Sequence, residues 1–305
     1  MKSSRPWSPP TRRNNWQNSV PDQNTPPTIR QAREQAIKEL SGRDSATIDA
    51  EVLLMHCCTI DRGNLWTQEQ QPLTAEQYDK FQQLLQLRHQ GYPIAHLTGE
   101  KEFWSLPFAI SPNSLIPRPE TELLVEQALL RIAETSVLSI ADLGTGCGNI
   151  AAAIGHERPD SKIIATDIDA DTLSVARQNF ENLGLMNIGC LPGSWCEPLG
   201  KRRFNIIVSN PPYIAAGDPH LHQGDVAHEP GLALIAGSDG LSAIRVIIEQ
   251  ARHHLEPGGW LLLEHGFDQQ DNVSRLFLQQ DYINIQCYRD LSGHPRVTEG
   301  QITTN

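Results

Sequence analysis

The sequence predicts an α/β domain with a doubly wound, mostly parallel sheet, preceded by a small all-helical domain and a β-hairpin connector. Three observations carry this. From Val137 onward, short apolar runs alternate with amphipathic stretches, the pattern of repeated strand–helix units. A glycine turn, Gly144-Thr145-Gly146-Cys147-Gly148, separates the first run from the first helix, and an acid, Asp167, closes the second run. A later run, Phe204-Asn205-Ile206-Ile207-Val208-Ser209, ends abruptly in Asn210-Pro211-Pro212-Tyr213.

The chain has 305 residues, which favours two domains over one and is enough for a full core. Its formal charge of −11 leaves no overall basic footprint, so direct nucleic-acid binding is not expected. Six cysteines without a C-x-x-C pair, and no secretory signal, read as reduced thiols of a cytoplasmic protein. No apolar run approaches membrane-spanning length, so no membrane partner is expected. Residues 1–27 are rich in Pro, Asn, Ser and Arg and are expected to form a disordered tail. Arg12 and Arg13 lend it weak transit-peptide character, which the prolines oppose.

Residues 28–92 read as helical. Ile48, Val52 and Met55 are predicted to share a face. Thr74-x-x-Gln77 resembles a capping box and leads into Tyr78, Phe81, Leu85 and Arg88 at helical spacing. No catalytic constellation stands out, so a plain bundle and a substrate-docking domain both remain open. Residues 93–114 suggest a hairpin connector, with Gly99 between alternating flanks. Pro119, Glu120 and Glu122 suit a first helical turn ahead of Leu123, Leu124 and Ala128. As a cap that segment needs no function, yet Arg118 between two prolines is unusual for a cap, and a place near the site stays open beside it.

The α/β part starts with a strand over Val137–Leu143 and a small-residue helix over Ile150–Ile154. Strands follow at Lys162–Asp167, Ile188–Leu191, Phe204–Ser209 and Trp260–Glu264, and two more at Tyr282–Tyr288 and Val297–Thr303. A helix is predicted over Ala170–Leu183. Leu241, Ile244, Ile248, Ala251 and Leu255 mark another, closed by Pro257-Gly258-Gly259.

The glycine turn lets backbone approach a nucleotide-like ligand, and Asp167, about twenty residues on, is placed to accept from ribose hydroxyls. The dinucleotide fingerprint G-x-G-x-x-G is not met, because Asn149 stands where its third glycine would be. Asp142 sets negative charge where a pyrophosphate would be repelled and an ammonium accepted. S-adenosylmethionine, with an α-amino group and no phosphate, fits better. The two prolines after Asn210 forbid helix and ladder alike, leaving a stiff rim of acceptors suited to an –NH2 group.

Asp142-Leu143-Gly144-Thr145-Gly146-Cys147-Gly148 resembles the first motif of class I S-adenosylmethionine-dependent methyltransferases, and Asn210-Pro211-Pro212-Tyr213 resembles their motif for planar nitrogens. Pro93–Leu106, Leu115–Leu124, Glu229-Pro230-x-Leu232-Ala233-Leu234, Leu261–Gly266 and Arg289–Gly293, in that order, resemble the PrmC/HemK family. The resemblance implies a seven-stranded class I methyltransferase sheet over residues 115–305. It implies methyl transfer from S-adenosyl-L-methionine to the side-chain nitrogen of the glutamine in the Gly-Gly-Gln motif of peptide chain release factors, with S-adenosyl-L-homocysteine as product. By the same resemblance Gly144, Thr145, Gly146, Cys147 and Gly148 wrap the methionine moiety, Asp167 holds the ribose and Trp195 lies against the adenine. Asn210, Pro211, Pro212 and Tyr213 hold the target amide, with Asn210 also beside the cofactor. Relatives often carry an acid where Ser194 stands, so Ser194 is left unassigned.

Chemically, the Asn210 side-chain oxygen and the Pro211 carbonyl are expected to accept the two amide protons, with Tyr213 packed on the amide plane. A ribosomal-protein glutamine and the N6 of a nucleic-acid adenine are alternative targets, and a non-catalytic cofactor-binding scaffold is a further rival. His220, His222, His228, Asp218 and Asp225 share a loop without recognised ligand spacing, so no metal is expected. A monomer is expected.

Overall fold

The computed structural model describes residues 26–133 and 137–304, and the expected tail lies almost wholly outside the described residues. The chain divides into two compact units, residues 1–85 and 86–305.

The first unit is helical: α1 (Ile29–Glu39), α2 (Ala46–Cys58), α3 (Arg62–Thr67) and most of α4 (Ala75–His89). Two reciprocal caps start its helices. Thr28 accepts from the Gln31 N–H while the Gln31 side chain accepts from the Thr28 N–H, and Thr74 and Gln77 repeat the exchange at α4. The Ile48, Val52 and Met55 face is not the core face of α2. Ile48 is 59% exposed, and the helix buries Ala50, Leu53, Leu54 and Cys57 instead. Helical spacing marks both stripes, and packing against neighbouring helices selects one of them.

In the second unit α5 (Ile94–Thr98) precedes a hairpin of β1 (Glu100–Phe103) and β2 (Leu106–Ala109). The expected turn at Gly99 is displaced. Gly99, at φ 75°, caps α5 by donating to the Ala95 carbonyl, and Trp104 and Ser105, at φ 55° and 57°, make the turn. The hairpin is tied down at that turn, where the Trp104 N–H donates to Glu122 Oε1 and its indole to Glu157 Oε1.

Next come α6 (Glu122–Leu130), β3 (Ser139–Leu143), α7 (Asn149–Glu157), β4 (Lys162–Asp167), α8 (Ala170–Asn182), β5 (Ile188–Pro192) and β6 (Phe204–Ser209). The chain closes with α9 (Ser242–His254), β7 (Leu255–Glu264), α10 (Gln270–Gln279), β8 (Ile283–Arg289) and β9 (Pro295–Gln301). The seven-stranded sheet has the order β5-β4-β3-β6-β7-β9-β8, parallel except for β9. β7 starts before the expected Trp260, because Leu255 already pairs with Phe204 and an irregularity absorbs the Pro-Gly-Gly stretch. Helices cover both faces. Phe108, Leu124, Ile154 and Phe180 pack on one, and Ile244, Ile248, Val273 and Phe277 on the other. Among the described residues no helix is long and apolar enough to cross a membrane.

Gly240 locks the segment after β6 in place. At φ 72°, a Cβ there would lie 2.3 Å from the Tyr213 carbonyl oxygen. Gly240→Ala is expected to cost about 2–4 kcal/mol, combining left-handed strain with overpacking against backbone. Denaturant midpoints check this, and an unchanged midpoint would contradict it.

Candidate active site

The glycine turn leaves β3 in the left-handed region three times, at Gly144 (φ 70°), Gly146 (φ 58°) and Gly148 (φ 87°). A Cβ on Gly144 would stand 2.9 Å from the Trp195 ring, and one on Gly148 2.6 Å from the Phe180 ring. The turn is pinned from behind. Asp142 Oδ2 accepts from Thr145 Oγ1 at 2.6 Å and from the Ala151 N–H at 3.2 Å, and the Thr145 N–H donates to the Thr166 carbonyl at 2.8 Å. Asp142 is fully buried with Oδ1 unpartnered among the described residues, and burial pushes its carboxyl up to about 7. It therefore braces the turn from the core side and does not line the cavity in front, which differs from the ammonium neighbour expected of it.

That cavity is lined by Gly144, Gly146, Asp167, Ser194, Trp195, Asn210 and Pro212, with Arg118, Thr121 and Leu232 on its other walls. Asp167 sits at the end of β4, where Oδ2 accepts from the Gly146 N–H and Oδ1 from the Asp169 N–H, both at 2.9 Å. Trp195 holds φ 45°, and its carbonyl accepts from Thr166 Oγ1 at 3.0 Å. Of the expected cofactor residues, Thr145, Cys147 and Gly148 do not line the cavity. Thr145 and Cys147 are buried behind the turn, and burial pushes the Cys147 thiol up to about 12, which leaves it unreactive.

Asn210 follows β6, next to β3 in the sheet. Its Nδ2 donates to Thr121 Oγ1 at 3.1 Å, while its Oδ1 is buried without a partner among the described residues. Pro212 joins Asn210 on the cavity wall, whereas Pro211 is buried and Tyr213 does not line the cavity. The Tyr213 hydroxyl donates to Glu264 Oε1 at 3.3 Å and its carbonyl accepts from Gln269 Nε2 at 2.9 Å. Tyr213 thus braces the rim where the sequence suggested it would cover the amide plane.

Two residues of the site carry no local signal in the sequence. Thr121 belonged to a presumed cap, with nothing to mark its hydroxyl for a partner so distant in the chain. Glu229 is buried, accepts from the Ile116 N–H at 3.1 Å and forms an ion pair with Arg118, tying the segment before α6 to the loop bearing Leu232. Arg118 is thereby placed on the cavity wall. The histidine loop has other partners. Asp218 bonds His220, Asp225 pairs with Arg88 at 2.6 Å, and His228 stacks on Tyr92.

A glycine turn, an acid and a polar rim at the carboxyl ends of adjoining parallel strands define a class I methyltransferase. Residues 119–228 match the methyltransferase small domain, and residues 31–99 match the PrmC N-terminal domain. The release factor glutamine methyltransferase of Salmonella typhimurium is 45% identical over 269 residues, 88% of this chain and 97% of that one. The enzyme of that name from Escherichia coli K12 is 47% identical over 88% of this chain and 96% of its own. The chain belongs to the release factor glutamine methyltransferase family. In fold it is similar to a Pyrococcus furiosus methyltransferase, with TM-score 0.50, 17% identity and coverage of 67% of this chain and 92% of that one. It is also similar in fold to the catalytic domain of hMettl16, with TM-score 0.53, 16% identity and coverage of 73% and 82%.

Asp142 gives the turn a pH signature. Its raised pKa means that the folded state prefers the protonated form, so its contribution to stability is complete below the ordinary value of 3.8 and is lost as pH rises to about 7. Asn at 142 stays neutral throughout. The stability of the wild type relative to Asp142→Asn is expected to fall between pH 4 and 7 in denaturant titrations, and a pH-independent difference would contradict this.

Proposed function

We propose that this protein transfers the methyl group of S-adenosyl-L-methionine to the N5 side-chain nitrogen of the glutamine in the Gly-Gly-Gln motif of peptide chain release factors. Family membership supports the reaction. The observation that carries the residue-level reading is the unpartnered, buried Oδ1 of Asn210, an acceptor held ready beside the glycine turn. The cavity fits the cofactor on its own terms, since the approach of backbone and indole at Gly144 leaves no room for a side chain and a half-buried acid, Asp167, stands beside it.

Gly144 and Gly146 would hold the methionine end, Asp167 the ribose hydroxyls and Trp195 the adenine, with Thr145, Cys147 and Gly148 shaping the turn from behind. Bound there, S-adenosyl-L-methionine supplies an electrophilic methyl group and leaves as S-adenosyl-L-homocysteine. Asn210 Oδ1 and the Pro211 carbonyl accept the two protons of the target amide, orient its nitrogen and favour the positive charge that develops on it. Pro212 closes the wall beside the amide, and Tyr213 keeps the rim rigid. An amide nitrogen needs no base before transfer, because once methylated it is strongly acidic and gives its proton to water. Residues 28–92 serve as the docking domain for the release factor, and the enzyme acts as a cytoplasmic monomer. Its charge of −11 disfavours a nucleic-acid target, whose phosphates demand basic contacts.

Labelled S-adenosylmethionine, incubated with a purified release factor and with its Gly-Gly-Ala variant, tests the reaction. Label on the glutamine of the first and none on the second is expected. Label on a ribosomal protein or on nucleic acid instead would overturn the choice of target. Asn210→Ala is expected to lower kcat by about 10²–10³-fold, the usual effect of removing one preorganised partner, while cofactor affinity stays within about threefold. Unchanged turnover with unchanged cofactor binding would overturn the role of Asn210.

A further inference from the structure

A Gly-Gly-Gln target gives the rim little to read. Two glycines carry no side chain, and the rim meets only the –NH2 group at the end of the glutamine. A protein that offers so little inside the cavity has to be recognised outside it, and such recognition rests on a few large side chains in ordered surroundings. The carboxyl edge of the sheet presents large apolar side chains on three separate loops. Leu232, after β6, is 70% exposed and stands on the cavity wall. Phe267, after β7, is 55% exposed, and Leu291, between β8 and β9, is fully exposed.

Phe267 and Leu291 are continuous with the rim. Glu264 pairs with Val297 in the antiparallel β7–β9 ladder and the His265 N–H donates to the Arg296 carbonyl at 2.9 Å, so the turn before β9 emerges where β7 ends. Phe267 lies in the turn whose Gln269 holds the Tyr213 carbonyl and accepts from the Gly266 N–H. Its ring stacks on His294, with 5.6 Å between centroids. The β8–β9 turn itself is tightly held. Asp290 Oδ1 accepts from the Ser292 and His294 N–H groups, both at 2.9 Å, and Oδ2 from Arg296 Nε at 3.1 Å. Gly293 takes φ 81°, and Arg289 donates to its carbonyl at 2.7 Å. The charged groups of Arg289–Gly293 are thus occupied in holding the turn, while Leu291 buries nothing within the fold. A leucine on so ordered a turn gives up little freedom when a partner covers it.

We propose that Phe267 and Leu291 form a docking surface for the folded domain of the release factor that carries the Gly-Gly-Gln loop, and that the partner meets them with an apolar patch beside that loop. This rests on the reading of the release factor as substrate. Place and chemistry name the occupant. A folded protein that delivers a side-chain amide to Asn210 has to lie over the rim, and this surface adjoins the rim through Gln269 and Tyr213. Its contacts are aromatic and aliphatic, and its Asp290 and Arg296 neutralise each other, so it suits an apolar patch and not a phosphate. Such contacts hold the substrate equally before and during transfer, so they act on KM and leave kcat alone.

Leu291→Ser and Phe267→Ser alter exposed side chains. Leu278→Ser is the control, since Leu278 is also exposed but lies at the end of α10, next to the start of β8 at the opposite edge of the sheet. Each of the first two is expected to raise KM for the release factor about 5- to 10-fold, with kcat and the affinity for S-adenosylmethionine within about twofold. Denaturant midpoints are expected to stay at the wild-type value, and Leu278→Ser to change none of these quantities. Calorimetry of the release factor binding to the enzyme loaded with S-adenosyl-L-homocysteine is expected to show Kd rising in parallel with KM. Unchanged KM and Kd in the double variant, a loss confined to kcat, or an equal effect of Leu278→Ser would overturn the docking surface and leave the reaction standing. Wild-type dimers in sedimentation that Leu291→Ser dissolves would show that a second copy covers the surface, and would overturn it too. A wild type that neither binds nor methylates the release factor would overturn the proposed substrate and the docking surface together.

Discussion

Ser209 Oγ donates to the Leu143 carbonyl at 2.6 Å, at the buried ends of β6 and β3, and the position of the site depends on this junction. The two strands pair in parallel from Ile140 with Ile206 to Asp142 with Val208, and each then releases its chain at the same edge of the sheet. The order of strands reverses here, with β4 and β5 on one side and β6 and β7 on the other, so the two departing loops must diverge and leave a crevice. Four neighbouring strand ends then present their groups in a row. Asp167 stands on β4, the glycine turn after β3, Asn210 after β6 and Glu264 on β7. No loop has to search for this arrangement, because pairing register alone delivers it.

The same edge concentrates unpaired polar atoms. Of the five buried side-chain polar atoms without a partner among the described residues, Asp142 Oδ1, Asn210 Oδ1 and Glu264 Oε2 belong to this row. Each such atom costs on the order of 1–3 kcal/mol. The two carboxyls relieve the cost by holding their protons more tightly, and both are pushed up to about 7. An amide has no such escape. Asn210 therefore remains a neutral acceptor at any pH at which the protein is folded. A charged acceptor in that place would neutralise itself or trap a cation, and a hydroxyl could turn its proton inward and offer nothing.

The strands Lys162–Asp167 and Phe204–Ser209 were legible residue by residue, because each is a short apolar run between breakers and buried on both faces. Asp167 and Asn210 were legible for the same reason, since a polar residue at the end of such a strand has few other uses. The hairpin turn is not legible at its true place, because a left-handed glycine ends helices as readily as it turns strands, whereas Trp104 and Ser105 take the left-handed turn without glycine. The core face of α2 is not legible in the sequence, because two stripes satisfy helical spacing and the choice lies in its partners. Thr121 and Glu229 were not legible as site residues at all. Their partners, Asn210 and Arg118, are 89 and 111 residues away, and only the closed sheet brings them within reach.

Rigidity around Asn210 follows from the chemistry proposed for it. A neutral amide nitrogen needs placement and a favourable field more than a base, so tolerance in the rim translates into lost rate. Two prolines stiffen the backbone, Gln269 holds the Tyr213 carbonyl, Glu264 holds its hydroxyl, and Gly240 lets the backbone close against it. Neutral acceptors also carry their own selectivity. A primary amide has two protons to give and meets two acceptors, whereas water or an alcohol brings one proton and leaves an acceptor bare. On the proposed reading the rim would select an –NH2 group without distinguishing a glutamine from a nucleobase. That second distinction would fall to what surrounds it, where the chain carries a charge of −11 and Arg118 is already paired to Glu229.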